Sequence, residues 1–451
     1  MLSAKSTETE ALEQRGELAV SIVGCGRLGL LHACLFAEAG FRVIIVDSDQ
    51  AAVERILKGK IPFLKYEVEP VLRKSFASGR LTATADLKTA IAQSNVVLVT
   101  TPVPVNEKGK VDYSPLEKIL KSIGPFLRRE ALVIITNVVG IGMTEGIVRE
   151  ILESSSGFKI GSDFFLAYSP ILFPERQTLK ALSSCRRIVA ASDRASLEMA
   201  LNIVKRVTNA EVIQTENVKM AEAAALFEVA FENVNSALAN EFAFLCEKLG
   251  IDYMAASNFL GSYASVHARS PSTSVALKIL LEEAENLNVK LRISETAIGL
   301  DEEILRHEVE LIRDALKNCG KPLRRAKIAL LGLSQTPNTA DIPKDSVMKI
   351  VNVLENKGAK LKLYDPYVSG KTLTELEHTQ TKKSLVEAVE GVDCIVIMSA
   401  HDQFKRLNLM KLKLLAKMPA AIVDLEGILD PVKVEAEGFI YRGFGRGVWR
   451  R

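Results

Sequence analysis

The sequence predicts an α/β protein with two doubly wound, Rossmann-like domains that are joined by a long central helix within a helical domain. Short apolar runs alternate with helical stretches in the first part of the chain. A long segment from about residue 217 to Gly250 then repeats apolar side chains at helical spacing. A strand–helix–strand pattern resumes near residue 326. We therefore expect a first α/β domain over 17–212, a central helical and dimerisation domain over 213–320 and a second α/β domain over 321–451.

The first strand and helix of the chain carry a glycine-rich turn. An apolar run over Leu18–Val23 leads into the sequence GCGRLG at residues 24–29, an alanine- and leucine-rich helical pattern extends to Gly40, and a second apolar run over Phe41–Val46 ends at Asp47. This order of strand, glycine turn, helix, strand and acid is typical of a dinucleotide-binding fold. The glycines let the backbone approach a pyrophosphate, and free N–H groups at the start of the helix face its charge. The alternative is that the glycines mark only a tight turn.

Asp47 decides which dinucleotide is expected. It lies 18 residues after Gly29, close to the spacing of a carboxylate that accepts a hydrogen bond from a ribose hydroxyl. A 2′-phosphate would be repelled there, so the pattern predicts NAD rather than NADP. The predicted cofactor-binding residues are Gly24, Gly26, Arg27, Leu28, Gly29 and Asp47.

Further strands and helices follow this unit. Strands are predicted at Val96–Thr100, Leu132–Ile135, Phe164–Ala167 and Ile188–Ala191, and helices at 217–250, Ser274–Asn288 and Asp301–Asn318. The apolar stripe of the long helix consists of Val218, Ala221, Ala225, Val229, Val234, Leu238, Phe242, Leu245 and Leu249. We expect it to bury against a second copy in a two-fold homodimer. The alternative is packing within one chain.

The helices break at Cys319–Pro322, and a second α/β pattern begins. A strand over Ala326–Gly332, a helix over Lys344–Lys357 and a strand over Leu361–Tyr364 end at Asp365-Pro366. The pattern lacks the glycine loop of the first unit. The second domain is therefore expected to bind something other than a dinucleotide.

Composition excludes several other classes of protein. Lys and Arg total 58 against 55 Asp and Glu, and this net charge of +3 argues against nucleic acid as the main partner. The uncharged stretches are interrupted by Pro, Asn, Thr or Gly, so no membrane span is predicted. Six scattered cysteines and no export signal at the N-terminus indicate free thiols and a cytoplasmic location. The five dispersed histidines form no metal-binding pattern, so no metal is predicted.

Four motifs make the chain resemble the UDP-glucose/GDP-mannose dehydrogenase family, nearest to its UDP-N-acetylmannosamine-oxidising members. Gly332–Ile342 is similar to the family's GLAFKPNTDDIR segment, and Glu232–Glu241 to its central helix. The stretch from Pro62-Phe63 to Asp86 and the C-terminal run Tyr441–Arg446 match as well. The resemblance is collinear from about residue 18 to 447 and implies an NAD-dependent enzyme that oxidises C6 of a nucleotide sugar in two steps. It also implies a cysteine nucleophile, assisted by a lysine and an asparagine four residues apart.

The chain departs from the family at these catalytic positions. Aligned on Asn240-Glu241, the lysine and asparagine positions are Ala225 and Val229, and aligned on Pro271 the cysteine position is Arg269. The other departures are Ser272-Thr273 for a Lys-Asp pair, Ile171 for a glutamate, and Thr336 and Pro343 for the lysine and arginine that would meet the UDP-sugar. No catalytic residue is therefore assigned.

Two functional hypotheses remain open. The first is a pseudoenzyme that retains the NAD site and acts as a scaffold or nucleotide-sugar sensor, in which the guanidinium of Arg269 either pairs with a C6 carboxylate or simply points to solvent or a neighbouring acid. The second is an active NAD-dependent UDP-sugar dehydrogenase with a modified active site. A purely structural protein is disfavoured by the intact unit from Gly24 to Asp47.

Overall fold

The computed structural model describes residues 18–59, 61, 65–106, 110–171, 179–259, 275–334, 337–339, 344–368 and 380–447. The chain divides into two compact units. The first comprises residues 1–230 and 274–291, and the second comprises residues 231–273 and 292–451. The boundary at residue 230 falls inside the long central helix. The predicted division into 17–212, 213–320 and 321–451 stays a prediction.

The first unit is built on an eight-stranded sheet with the strand order β3-β2-β1-β4-β5-β6-β7-β8. All neighbouring strands are parallel except β6 and β7. The order reverses between β1 and β4, so a crevice is expected there at the carboxyl ends of the strands. The strands are β1 (Ala19–Val23), β2 (Arg42–Val46), β3 (Leu81–Thr84), β4 (Val96–Val99), β5 (Leu132–Ile135), β6 (Phe165–Tyr168), β7 (Arg187–Ala190) and β8 (Val212–Thr215).

The second unit holds a six-stranded sheet with the order β11-β10-β9-β12-β13-β14, all parallel. Its order reverses between β9 and β12. The two parallel sheets confirm the predicted fold class. The strands are β9 (Lys327–Leu331), β10 (Lys360–Tyr364), β11 (Gln380–Thr381), β12 (Cys394–Ile397), β13 (Ala421–Asp424) and β14 (Ile440–Gly443).

Helices cover both faces of each sheet, as the continuous apolar strands require. In the first sheet, Val20 and Ile22 face one apolar core while Val97 and Val99 face the other. The α-helices are α1 (Arg27–Glu38), α2 (Gln50–Leu57), α3 (Lys65–Ala77), α4 (Leu87–Ala92), α5 (Ser114–Ile123), α6 (Arg149–Ser156), α7 (Leu179–Ser184), α8 (Arg194–Val207), α9 (Val218–Leu249), α10 (Tyr253–Ser257), α11 (Val275–Asn286), α12 (Arg292–Asn318), α13 (Lys344–Asn356), α14 (Leu385–Val389), α15 (Asp402–Lys405), α16 (Leu409–Leu415) and α17 (Pro431–Ala436).

Two details of the helical prediction change. The helix α12 begins at Arg292 rather than at Asp301 and passes through Gly299, because one glycine costs a helix only about 1 kcal/mol. The predicted apolar stripe of α9 is not exposed along its whole length. Val218, Ala221 and Ala225 are buried in the core of the first unit. This part of the stripe therefore packs within the chain.

The distal part of α9, in the second unit, presents apolar side chains to solvent. Phe231 is 71% exposed, Leu245 56% and Leu249 61%, although a large apolar side chain gains about 1.5–3 kcal/mol on burial. Their spacing places them on one face of the helix. We call this face the α9 stripe; it consists of Phe231, Leu238, Phe242, Leu245 and Leu249.

Candidate functional site

The glycine turn after β1 has the geometry that the sequence predicts. Gly24 adopts φ +110°, a conformation that favours glycine, and its N–H donates to Val46 O at 2.9 Å. A Cβ on Gly29 would lie 1.9 Å from Gly24 O, so the third glycine is required for α1 to pack against the turn. Thr100, at the end of β4, lies on the other side of the turn with its Oγ1 2.9 Å from Val23 O. Thr100 was not among the predicted site residues, although it ends a predicted strand.

Gly26 faces open space. A Cβ there would meet no heavy atom within 4 Å, and the residue has an ordinary extended conformation (φ −62°, ψ 179°). It caps α1 without a side-chain hydrogen bond, and the first turn of α1 contains no acidic residue. Arg27 begins this helix, while Leu28 packs against the core and accepts from His32 Nδ1 at 2.9 Å. The start of α1 therefore offers backbone N–H groups next to free space, as an anion requires.

Asp47 joins the end of β2 to the glycine turn. Its Oδ2 accepts from Cys25 N–H at 2.8 Å, and its Oδ1 accepts from Asp49 N–H at 2.9 Å. Partial burial raises the pKa of Asp47, but hydrogen bonds from Asp49 and Cys25 outweigh it and hold the pKa below its usual range. The carboxylate is therefore charged and partly exposed, with lone pairs left to accept from ribose hydroxyls. These features fit NAD.

The two helix positions at which the resemblance implies a lysine and an asparagine hold buried apolar side chains. Ala225 and Val229 lie one turn apart on α9 and are 0% and 4% exposed. Glu222, one turn before Ala225 on α9, accepts from the N–H groups of Gly142 and Thr144 at 2.5 and 2.9 Å. Burial raises the pKa of the Glu222 carboxyl. Glu222 thus holds α9 against the segment that follows β5.

The remaining departures divide between described and undescribed residues. Ile171, at the expected glutamate position, is buried in the core. The other positions named in the sequence analysis lie outside the described residues: Arg269, Ser272, Thr273, Thr336 and Pro343.

None of the cysteines with a shifted pKa is an activated nucleophile. All six are free thiols. Burial, together with the neighbouring Asp47, raises the pKa of Cys25 to about 12, and burial also raises the pKa of Cys246, Cys319 and Cys394. A thiol attacks as its thiolate, which requires a lowered pKa.

The second sheet also has an aspartate directly after its second strand, Asp365, but this side chain has a different role from Asp47. Asp365 follows β10 as Asp47 follows β2, and its Oδ2 accepts from Leu333 N–H at 2.8 Å and Ser334 N–H at 3.1 Å. His401 Nε2 also lies 3.1 Å from Oδ2, and Tyr367 N–H donates to Oδ1. Asp365 is 4% exposed and so surrounded by donors that it offers no free edge to a ribose. That the second sheet does not bind a dinucleotide stays a prediction.

The fold and the glycine turn define a dinucleotide-binding protein of the dehydrogenase type. Comparison with known families identifies the family to which the chain belongs. Residues 18–208 match the NAD-binding domain of the UDP-glucose/GDP-mannose dehydrogenase family, and residues 329–431 match its UDP-binding domain. The chain belongs to this family, whose members are NAD-dependent UDP-sugar dehydrogenases, and its cofactor is NAD.

Individual relatives match along nearly the whole chain. A UDP-N-acetyl-D-mannosamine dehydrogenase of Pyrococcus horikoshii is 28% identical over 432 residues, covering 95% of this chain and 99% of the relative. A UDP-glucose 6-dehydrogenase of Rhizobium meliloti is 26% identical over 444 residues, covering 95% and 99%. The solved structure of a UDP-D-ManNAc dehydrogenase from Pyrococcus horikoshii superposes with a TM-score of 0.81 at 26% identity, covering 96% of this chain and 100% of that one.

Neither a metal site nor a membrane-spanning helix occurs among the described residues. Among the described residues, no cluster of three or more His, Cys, Asp or Glu side chains is arranged to hold a metal ion. In the same part of the chain, no helix combines the length and apolar character that a membrane crossing needs.

Proposed function

We propose that this protein is a pseudoenzyme of the family: a homodimer that binds NAD and a nucleotide sugar but does not oxidise the sugar. The observation that carries the proposal is the pair of buried apolar side chains, Ala225 and Val229, at the positions where the resemblance implies a lysine and an asparagine. Neither residue can move a proton or stabilise a developing charge. Loss of general acid–base assistance alone costs about 10²–10⁴-fold in rate.

The replacement at the nucleophile position strengthens the proposal. Arg269 carries a permanent charge and cannot attack a carbonyl. The cysteines with resolved pKa shifts all have raised values, so none of those thiols is prepared to act instead. Bound NAD would supply a hydride acceptor, but Ala225, Val229 and Arg269 could not activate the sugar alcohol.

The residues that would hold the cofactor are those of the glycine turn. Gly26 leaves room for the pyrophosphate, the first N–H groups of α1 face it, and Asp47 accepts from the ribose. The nucleotide sugar is assigned to the second unit, since its residues 329–431 match a UDP-binding domain. A guanidinium at position 269 is suited to pair with a C6 carboxylate, which favours a uronate over an alcohol as the sensed ligand.

The α9 stripe supports the homodimer. Five large apolar side chains on one helical face would remain in water in a monomer, and a two-fold axis would bury each stripe against its copy. The six free thiols support the cytoplasmic location that the sequence predicts.

The alternative function is an active NAD-dependent UDP-sugar dehydrogenase with a modified active site. The relatives favour it, because the matched proteins from Pyrococcus horikoshii and Rhizobium meliloti bear the names of dehydrogenases.

One experiment separates the two. The full chain is screened by thermal shift with NAD, NADP, UDP-sugars and UDP-uronates, while the formation of NADH is followed by absorbance. The pseudoenzyme should be stabilised by NAD and should form no NADH above a protein-free blank with UDP-glucose, UDP-N-acetylmannosamine or GDP-mannose. Turnover that Gly26→Val abolishes would establish the active enzyme instead. Equal affinity for uronate and alcohol, unchanged in Arg269→Ala, would remove the sensor role only.

A further inference from the structure

We propose that His401 is a positioning residue for nucleotide binding in the second unit. Its neutral imidazole holds the backbone that follows β9, so binding weakens when the imidazole is protonated. This inference rests on the proposed binding of a nucleotide sugar by that unit.

His401 lies where a doubly wound sheet binds its ligand. The strand order reverses between β9 and β12, and ligands of such sheets bind outside the carboxyl ends of the strands at that point. The β9 loop (residues 332–334 and 337–339) leaves β9 there, and Ser399 and His401 follow β12. A Cβ on Gly332, which has φ +85°, would lie 2.7 Å from Ser399 Cβ. The two segments are therefore in direct contact.

The hydrogen-bond partners of His401 indicate the tautomer of its ring. Asn338 N–H lies 2.7 Å from Nδ1, and an amide N–H can only donate. Nδ1 must therefore carry a lone pair, and the ring proton lies on Nε2, which donates to Asp365 Oδ2 at 3.1 Å. The side chain is 0% exposed, so water cannot replace either bond.

The same hydrogen-bond network holds the β9 loop at Ser334 as well as at Asn338. Ser334 Oγ lies 2.6 Å from Thr339 O and 2.9 Å from Asp365 Oδ2. Asn338 adopts φ +61°, a strained region for a residue other than glycine, so its conformation needs outside support. The bond to His401 supplies that support through the backbone.

The side chain of Asn338 is held as well. Its Oδ1 accepts from Tyr367 O–H and from Asp402 N–H, each at 3.0 Å, and its Nδ2 donates to Asp402 Oδ2 at 3.0 Å. His401 thus acts on the conformation of the loop rather than on a ligand.

Protonation of His401 breaks this arrangement. A proton on Nδ1 would face the Asn338 N–H, which places two donors 2.7 Å apart. Among the described residues, the charged and titratable groups near the imidazole are Asp365 and Tyr367 from the turn after β10, and Asp402 and Lys405 from α15. The ring of Phe404 also lies 5.3 Å from the imidazole. Among the described residues, only the Asn338 N–H is hydrogen-bonded to Nδ1, so a proton there would find no acceptor unless the β9 loop moved.

The test measures binding by calorimetry with the full chain at about pH 7.5 and about pH 5.5, the range in which histidine titrates. The probe is UDP-glucose, whose diphosphate has no group that titrates in this range. Wild-type affinity for UDP-glucose should be about fivefold or more lower at the lower pH, the cost of losing one buried hydrogen bond. NAD affinity should change less than about twofold, because burial lowers the pKa of His32, beneath the glycine turn, to about 3.

Two variants of His401 separate positioning from simple structural support. His401→Gln keeps an acceptor and a donor but cannot be protonated, so its UDP-glucose affinity should vary less than about twofold with pH. It should bind more tightly at about pH 7.5 than His401→Phe, which has neither group. His307→Gln is the matched control: His307 also bonds a carboxylate, Glu247 Oε1 at 2.8 Å, but packs between Phe244 and Phe444. It should keep the wild-type pH profile.

Three results would overturn the inference: a flat wild-type profile, a pH dependence that persists in His401→Gln, or unchanged affinity in His401→Phe. In each case UDP-glucose still binds, so nucleotide-sugar binding by the chain stands. Absence of UDP-glucose binding by the wild-type chain at both pH values would overturn that binding and this inference together.

Discussion

Replacing Gly26 by valine should abolish NAD binding without harming the fold. The site faces open space and its backbone is extended, so the side chain fits the free protein. The valine methyl groups would occupy the volume into which the pyrophosphate must fit. By contrast, a Cβ on Gly29 would lie 1.9 Å from Gly24 O, so Gly29→Ala would damage the turn itself.

The size of the effect follows from ligand linkage. A ligand at 100 times its Kd stabilises the folded state by about 2.7 kcal/mol, and 1 kcal/mol shifts the Tm of a 150–250-residue domain by about 2–4 °C. For the NAD-binding domain, residues 18–208, NAD at that concentration should raise Tm by about 5–11 °C. If Gly26→Val weakens binding a hundredfold, the stabilisation falls to about 0.4 kcal/mol and the shift to about 1–2 °C.

The assay is thermal unfolding of wild type and variant with and without NAD, at 100 times the measured wild-type Kd. Without NAD the two Tm values should agree within about 4 °C, since valine in place of the N-cap glycine of α1 costs about 1 kcal/mol or less. Gly299→Val, at another open position on α12, is the control and should keep the full shift. A full NAD shift in Gly26→Val would refute the placement of the pyrophosphate at this turn.

Three further predictions concern cofactor choice, assembly and acid stability. NAD should raise Tm more than NADP does, and Asp47→Ala should narrow that difference because it removes the charge that repels a 2′-phosphate; an unchanged difference would contradict the role of Asp47. Leu245→Glu in the exposed α9 stripe should convert the dimer into a monomer in light scattering, and a wild-type monomer at micromolar concentration would already exclude the homodimer. Burial lowers the pKa of His32 to about 3, so the folded state excludes a proton that the unfolded chain binds below about pH 6.5. Stability is therefore complete above that value and is lost as the pH falls towards 3; by about pH 4.5 the loss is about 3 kcal/mol. Urea unfolding should show this loss reduced in His32→Gln, and equal losses would rule out His32 as its source.

The sequence by itself determines the fold class and NAD as the cofactor, and it predicts the residues of the cofactor site, because all three depend on local patterns. Short apolar runs mark the strands, helical spacing marks α9, and the glycine turn with Asp47 is contained in one strand–helix–strand unit. Among the strands that the sequence analysis does not predict, β3 and β8 are interrupted by exposed, polar side chains. The start of α12 is placed too late because Gly299 suggests a break that packing overrides.

Only the tertiary structure decides which distant residues meet. Ser334, Asp365 and His401 lie on three separate connections, and nothing in their spacing indicates that parallel strands bring them to one end of the sheet. Glu222 and Thr100 likewise gain their roles from contacts with segments about 80 residues away. The division of the α9 residues into a buried and an exposed part also depends on the helices and sheets around it. Periodicity shows which side chains share a face of a helix, but the packing of the rest of the chain determines whether that face is covered.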